Sequence, residues 1–196
     1  MVKTKGGVPT RDRILAATAE LLRRKGYNGT GLKEIVKASE APFGSIYHFF
    51  PEGKEQLGAE AIREAGKVYN ALIAAFYDAN NDPVTATREF FNGAAEVLRT
   101  TAFEDACPIA TVALEVASSS EPMREATADV FESWITDIVV RLEAEGVKPK
   151  RARGVALVLF SLLEGAFIHA RATKDSSAVE IAGRVAADVV RDALAR

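Results

Sequence analysis

Apolar residues recur every three to four positions along almost the whole chain, and Gly or Pro interrupts them at short intervals. The stretch 10–27 puts Ile14, Ala17, Leu21 and Leu22 at helical spacing, with Thr18 the one polar residue on that stripe, Thr10 placed as an N-cap and Gly26 as a stop. A second, short helix is predicted over 30–40, with Leu32, Ile35 and Val36 inward and Thr30 near its cap. A third is predicted over 43–50, directly after Pro42, a residue suited to the entry of a helix. A long helix then runs from Lys54 to about Asn80, and Pro83, Pro108, Pro122 and Pro149 each precede or open a further one. The last predicted helix covers 177–195, giving an all-α chain of nine helices with no β-hairpin signal and no internal repeat.

The segment 43–50, FGSIYHFF, is dense in aromatics and admits three readings: a buried strand, a plain core helix, or a helix with one face buried and another offered outward. Aromatics favour strands in general, but three successive helices leave a lone strand nothing to pair with. As a helix, Ile46, Phe49 and Phe50 fall at i, i+3 and i+4 and form the inward face toward Leu21, Leu32 and Ile35. Phe43, Gly44, Tyr47 and His48 are then left outside. Helix, short turn and a second helix entered through Pro-x-Gly make a helix-turn-helix pattern, whose second helix lies in the major groove of DNA.

Charge changes the picture further. The net charge of −2 argues weakly against a polyanion partner. Residues 1–55 nevertheless carry +4 and residues 56–196 carry −6, so only the first quarter suits nucleic acid. The hydrophobic share of 48% and charged share of 27% are those of an ordinary globular protein. No run of about 18 apolar residues is evident, and the start, MVKTKGGVPTRDR, does not read as a secretory signal. One cysteine, Cys107, cannot form an internal disulfide, which fits a reducing, cytoplasmic setting. Two histidines, no nucleophile–base arrangement, no phosphate loop and no metal cluster argue against an enzyme. No cofactor is expected.

KGYNGTGLKEIVKASEAPFGSIYHFFPEGKEQL (25–57) resembles the DNA-binding region of the TetR/AcrR family of bacterial repressors, with Gly26, Tyr27, Thr30, Ile35, Gly44, Ile46, Tyr47, Phe50 and Lys54 matching the family's pattern. The loop FPEGKEQL, with CPIATVALEVAS and SLLEGAFIHARA downstream, resembles the LmrA/YxaF-type branch. The resemblance implies a helix-turn-helix DNA-binding domain over 1–55 and a helical ligand-binding and dimerisation domain over 56–196. Chemistry then suggests roles on the DNA side. Thr30 would cap the second helix and offer its hydroxyl to a phosphate. Gly44 would permit close approach to DNA. Ser45 and His48 would donate to phosphates or base edges. Tyr47 would donate to a phosphate and lay its ring on a thymine methyl, and Lys54, Arg11, Lys33 and Lys37 would add charge at the backbone. Lys3 and Lys5 would form an arm. Phe43 and Phe49 depart from the family's pattern, standing where relatives often carry a polar or basic reader and a phosphate-contacting His.

In the distal part, Phe76, Phe90, Phe91, Cys107, Phe131, Trp134 and Phe167 are candidate pocket linings, and their spacing also suits an ordinary core. Phe160, Leu163, Glu164 and Phe167 share one stripe, which puts a carboxylate on an apolar face. It either has a partner across a pocket or dimer, or marks the stripe's edge. Gly165 and Ala166 beside it suit close approach of the last two helices, which the family pairs in its dimer. Together these imply a homodimeric repressor on a palindromic double-stranded operator, released by a small apolar or aromatic effector. Two alternatives stand beside it: redox sensing through Cys107, or a regulator whose distal domain only dimerises.

Overall fold

The computed structural model describes residues 8–80, 82–105 and 107–195. Among these it contains nine helices: α1 (Thr10–Lys25), α2 (Leu32–Ser39), α3 (Gly44–Phe49), α4 (Lys54–Asp78), α5 (Pro83–Thr100), α6 (Pro108–Val116), α7 (Glu121–Ala144), α8 (Pro149–Thr173) and α9 (Ser177–Leu194). The all-α expectation is met, with helix ends moved by no more than a few residues. The chain divides into two compact units, residues 1–66 with 108–128, and residues 67–107 with 129–196. This packing division follows a different line from the break placed at residue 55, because α6 and the first turns of α7 pack with the N-terminal helices.

In the first unit, α1 buries Ile14, Leu15, Thr18 and Leu22. Thr18 sits within this apolar stripe because its hydroxyl donates to the Ile14 carbonyl at 2.7 Å. Gly26 ends the helix at φ 69° and donates to the Leu22 carbonyl. A Cβ there would also collide with the Glu115 carboxylate of α6, 1.8 Å away. That carboxylate accepts the Asn28 backbone N–H at 2.8 Å and so ties α6 to the turn between α1 and α2. Two expected caps are absent. Pro9 occupies the N-cap of α1, so Thr10 is its first helical residue. Gly31 is the N-cap of α2, while Thr30 is buried and donates its hydroxyl to the Gly26 carbonyl at 2.7 Å.

Arg13 was not singled out by sequence. Its guanidinium donates to the carbonyls of Ser39 at 3.1 Å and Glu40 at 3.4 Å, at the end of α2, and to that of Val8 at 3.2 Å. A cation at a helix C-terminus answers its orphan carbonyls and its dipole. The α3 helix is seated by Ile46 and Phe50, both fully buried, while Phe49 is half-buried at the edge.

In the second unit, α9 packs against α5 and α8 around a core that includes Phe91, Leu98, Leu142, Leu159 and Val190. Small residues set the approach: Gly183 of α9 faces Phe91 so closely that a Cβ would lie 2.6 Å from the Phe91 Cβ. Asp82 caps α5, accepting the N–H groups of Val84 at 3.2 Å and Thr85 at 2.9 Å, and Pro83 follows at the first position. Bonds from the Thr85 side chain and backbone hold the Asp82 carboxyl below its usual range. No unbroken apolar run of membrane-spanning length was expected; by length and composition α8 is nonetheless apolar enough to cross a membrane, with Glu164 inside the stretch and Leu157, Val158 and Ile168 exposed on it.

Candidate nucleic-acid interface and ligand pocket

The helix-turn-helix presents Phe43, Gly44, Tyr47 and His48 outward, with Ser45 half-buried. Phe43 and Tyr47 are 47% and 51% exposed, and their ring centroids lie 6.2 Å apart. His48 stacks edge-on against Phe49 at 4.8 Å. Nothing lies within 4 Å of the position a Gly44 Cβ would take, so the backbone there is open on its outer side. Lys33 and Lys37 are exposed on α2.

Other expected contact residues are engaged inside the unit. Lys54 donates to the Tyr27 carbonyl at 2.7 Å and lies 4.1 Å from the centre of the Tyr27 ring. Burial pulls its ammonium below the usual lysine range, against the opposing charge of Glu115. Arg11 pairs with Glu60 and covers the Phe50 ring at 5.5 Å. The buried Thr30 hydroxyl is committed to Gly26. Lys3 and Lys5 lie outside the described residues.

The second unit holds an apolar pocket of about 420 Å³. Phe76, Phe90, Phe91, Cys107, Trp134, Glu164 and Phe167 all line it. Phe131 is not among the lining residues; its ring packs on Phe160 at 4.8 Å and on Trp134 at 6.0 Å. Of the α4 residues the sequence reading named only Phe76; α4 also supplies Tyr69, Leu72, Ile73 and Tyr77. The signal was present in the spacing of Tyr69, Ile73 and Phe76 at i, i+4 and i+7. Thr87 gives its single hydroxyl proton to the Pro83 carbonyl, so Tyr77 is the donor in the 2.9 Å bond between their hydroxyls. Burial raises the Tyr77 phenol above its usual range.

Phe160, Leu163, Glu164 and Phe167, the stripe read from α8, all face the pocket. Glu164 is half-buried, and the Cys107 thiol donates a hydrogen bond to its carboxylate. Burial pushes the Glu164 carboxyl up to about 7, with the thiol bond opposing. The carboxylate is therefore a pocket group with a local partner and not the edge of an apolar stripe.

A helix-turn-helix edged by Lys33 and Lys37 in one unit and an apolar pocket in the other are the parts of a DNA-binding regulator. Residues 14–61 match the model of bacterial regulatory proteins of the tetR family, and residues 83–185 match the LmrA/YxaF-like C-terminal domain of transcriptional regulators. The HTH-type transcriptional regulator YxaF of Bacillus subtilis is 36% identical over 86% of this chain and 88% of its own length. LmrA of the same organism is 33% identical over 86% and 89%. The fold is that of Escherichia coli NemR in its reduced form, at a TM-score of 0.80 and 24% identity over 92% of this chain and 97% of that one. The chain belongs to the TetR family of DNA-binding transcriptional regulators, with an LmrA/YxaF-like C-terminal domain; these are not enzymes.

Proposed function

We propose that this chain is a cytoplasmic, homodimeric repressor that holds a palindromic operator and releases it on binding a small apolar or aromatic molecule. The observation that carries this reading is the pocket of about 420 Å³. Ligand sites fall at roughly 300–1,000 Å³, and a domain serving dimerisation alone has no need of such a space. Reactive cysteines sit partly exposed in electropositive surroundings. Cys107 is buried beside a carboxylate, which favours ligand sensing over redox sensing.

The surface of α8 and α9 supports a second copy of the chain as partner. Leu157, Val158, Ile168, Ile181 and Val185 are between 41% and 61% exposed. Nothing lies within 4 Å of a Cβ built on Gly154 or Gly165, so another helix can approach closely there. Two recognition helices would then meet half-sites about 34 Å, or a multiple, apart. Phe43, Gly44, Ser45, Tyr47 and His48 would face the groove, with Lys33 and Lys37 toward phosphates. Arg11, Thr30 and Lys54 would act mainly by holding the motif in shape.

The α4 helix carries both ends of the mechanism: Lys54 at its start braces the helix-turn-helix, and Tyr69 to Tyr77 line the pocket. An effector that fits one arrangement of α4 better than another shifts the population by its differential affinity, typically about 1–3 kcal/mol. Operator fragments selected from genomic DNA, titrated with and without aromatic compounds by fluorescence anisotropy, test this. Effector and operator should weaken each other by one common factor, and the protein should have the mass of a dimer by light scattering. Independent affinities, or a monomer that binds one half-site, would overturn it.

A further inference from the structure

The pocket carries charge of one sign. The described residues lining it include the carboxylates Glu96, Asp105 and Glu164 and no Lys, Arg or His. Glu96 is exposed and paired with Arg99 at 2.7 Å. Glu164 sits deeper, between Phe160, Leu163 and Phe167 on the wall formed by α8, and it accepts the Cys107 thiol. A thiol is a weak donor, so ionised Glu164 has poor compensation for the water it has lost. Around it the walls are aromatic, and ring faces attract cations.

We propose that the effector is a lipophilic cation, a planar multi-ring molecule whose positive nitrogen sits on the Glu164 carboxylate while its rings lie among Phe76, Phe90, Phe167 and Trp134. This rests on reading the pocket as an effector site. A neutral molecule fills the same space but leaves Glu164 without a counter-charge. An anion meets only charges of its own sign. A permanent cation selects the ionised carboxylate, so below about pH 7 its binding displaces the Glu164 proton. The other ionisable side chains on the pocket wall are Glu96, Asp105, Tyr69, Tyr77 and Cys107, and none is basic.

A matched pair of fluorescent probes tests the proposal on the full chain: 10-methylacridinium, a permanent cation, and 9-methylanthracene, its neutral isostere. At pH 8 the cation should bind at least about tenfold more tightly, and Glu164→Gln should remove that preference while keeping the neutral probe bound. Retained binding of the neutral probe shows that the variant is folded. With the unmodified protein, cation affinity should fall as pH drops from 8 to 5.5 while that of the neutral probe stays level. Equal affinities, or a preference that survives Glu164→Gln or is flat with pH, overturns the cation proposal and leaves the effector pocket standing. Failure of both probes to bind overturns both readings.

Discussion

Replacing Glu164 by Gln isolates one charge in an apolar wall. Gln keeps the length of the side chain and an acceptor for the Cys107 thiol, and removes only the ionisation. In the folded protein burial raises this carboxyl from 4.5 to about 7. The folded state therefore holds the proton more tightly than the unfolded chain. Below pH 4.5 both states are protonated, and the wild-type protein has its full stability relative to the variant. As pH climbs from 4.5 through about 7 the unfolded chain ionises first, and that relative stability is lost. One pKa unit corresponds to about 1.4 kcal/mol, which caps the loss at about 3 kcal/mol. Glu164 is half-buried, so water screens part of this and the expected change is about 1–3 kcal/mol. Urea unfolding of both proteins at pH 5, 6, 7 and 8, at one fixed protein concentration, gives the difference at each pH. The variant should gain on the wild type from pH 5 to about 7 and level off toward pH 8. Two stability curves that stay parallel would show that Glu164 ionises as freely as an exposed carboxylate, and the reasoning would fail.

Three further outcomes are expected. Phe43→Ala should relax base preference at one base pair in each half-site by about 1 kcal/mol, read from binding-site selection, since under the proposed function a ring at this exposed position would read a thymine methyl; an unchanged selection profile would refute that role. Gly183→Ala should destabilise the second unit by about 1–2 kcal/mol, since the clash with Phe91 at 2.6 Å outweighs the gain in helix propensity of about 1 kcal/mol; a raised urea midpoint would contradict it. Lys54→Met should cost about 1–2 kcal/mol by removing the bond to the Tyr27 carbonyl and the ammonium over its ring, with operator affinity falling too. A loss of operator affinity with no loss of stability would instead make Lys54 a direct phosphate contact.

The helices were legible because their signals are local. Apolar spacing and the prolines at 83, 108, 122 and 149 mark elements without knowledge of what packs where. The stripe of α8 that carries Glu164 was legible for the same reason. The caps at Thr10 and Thr30 were misread because Ser and Thr are frequent both at N-caps and one position away from them. Whether the hydroxyl turns to an N–H or back to a carbonyl depends on the preceding turn, here the Gly26 carbonyl. Arg13 was invisible for a different reason. Its partners Ser39 and Glu40 lie 26 and 27 residues away, and nothing in the spacing of α1 announces them. Phe131 shows the limit of periodicity: it shares a stripe with Trp134, but one ring faces the cavity and the other supports it.

The α3 helix divides its labour between side chains that never compete. Ile46 and the following Phe50 are wholly covered and fasten it, whereas Phe43, Tyr47 and His48 stand in solvent. Changes on the outer face leave the fastening intact, so under the proposed DNA-facing role the base sequence this helix would prefer can be rewritten without the fold having to be re-evolved. A lineage carrying this scaffold can drift from one operator to another through exchanges at those outer positions, each nearly neutral for folding.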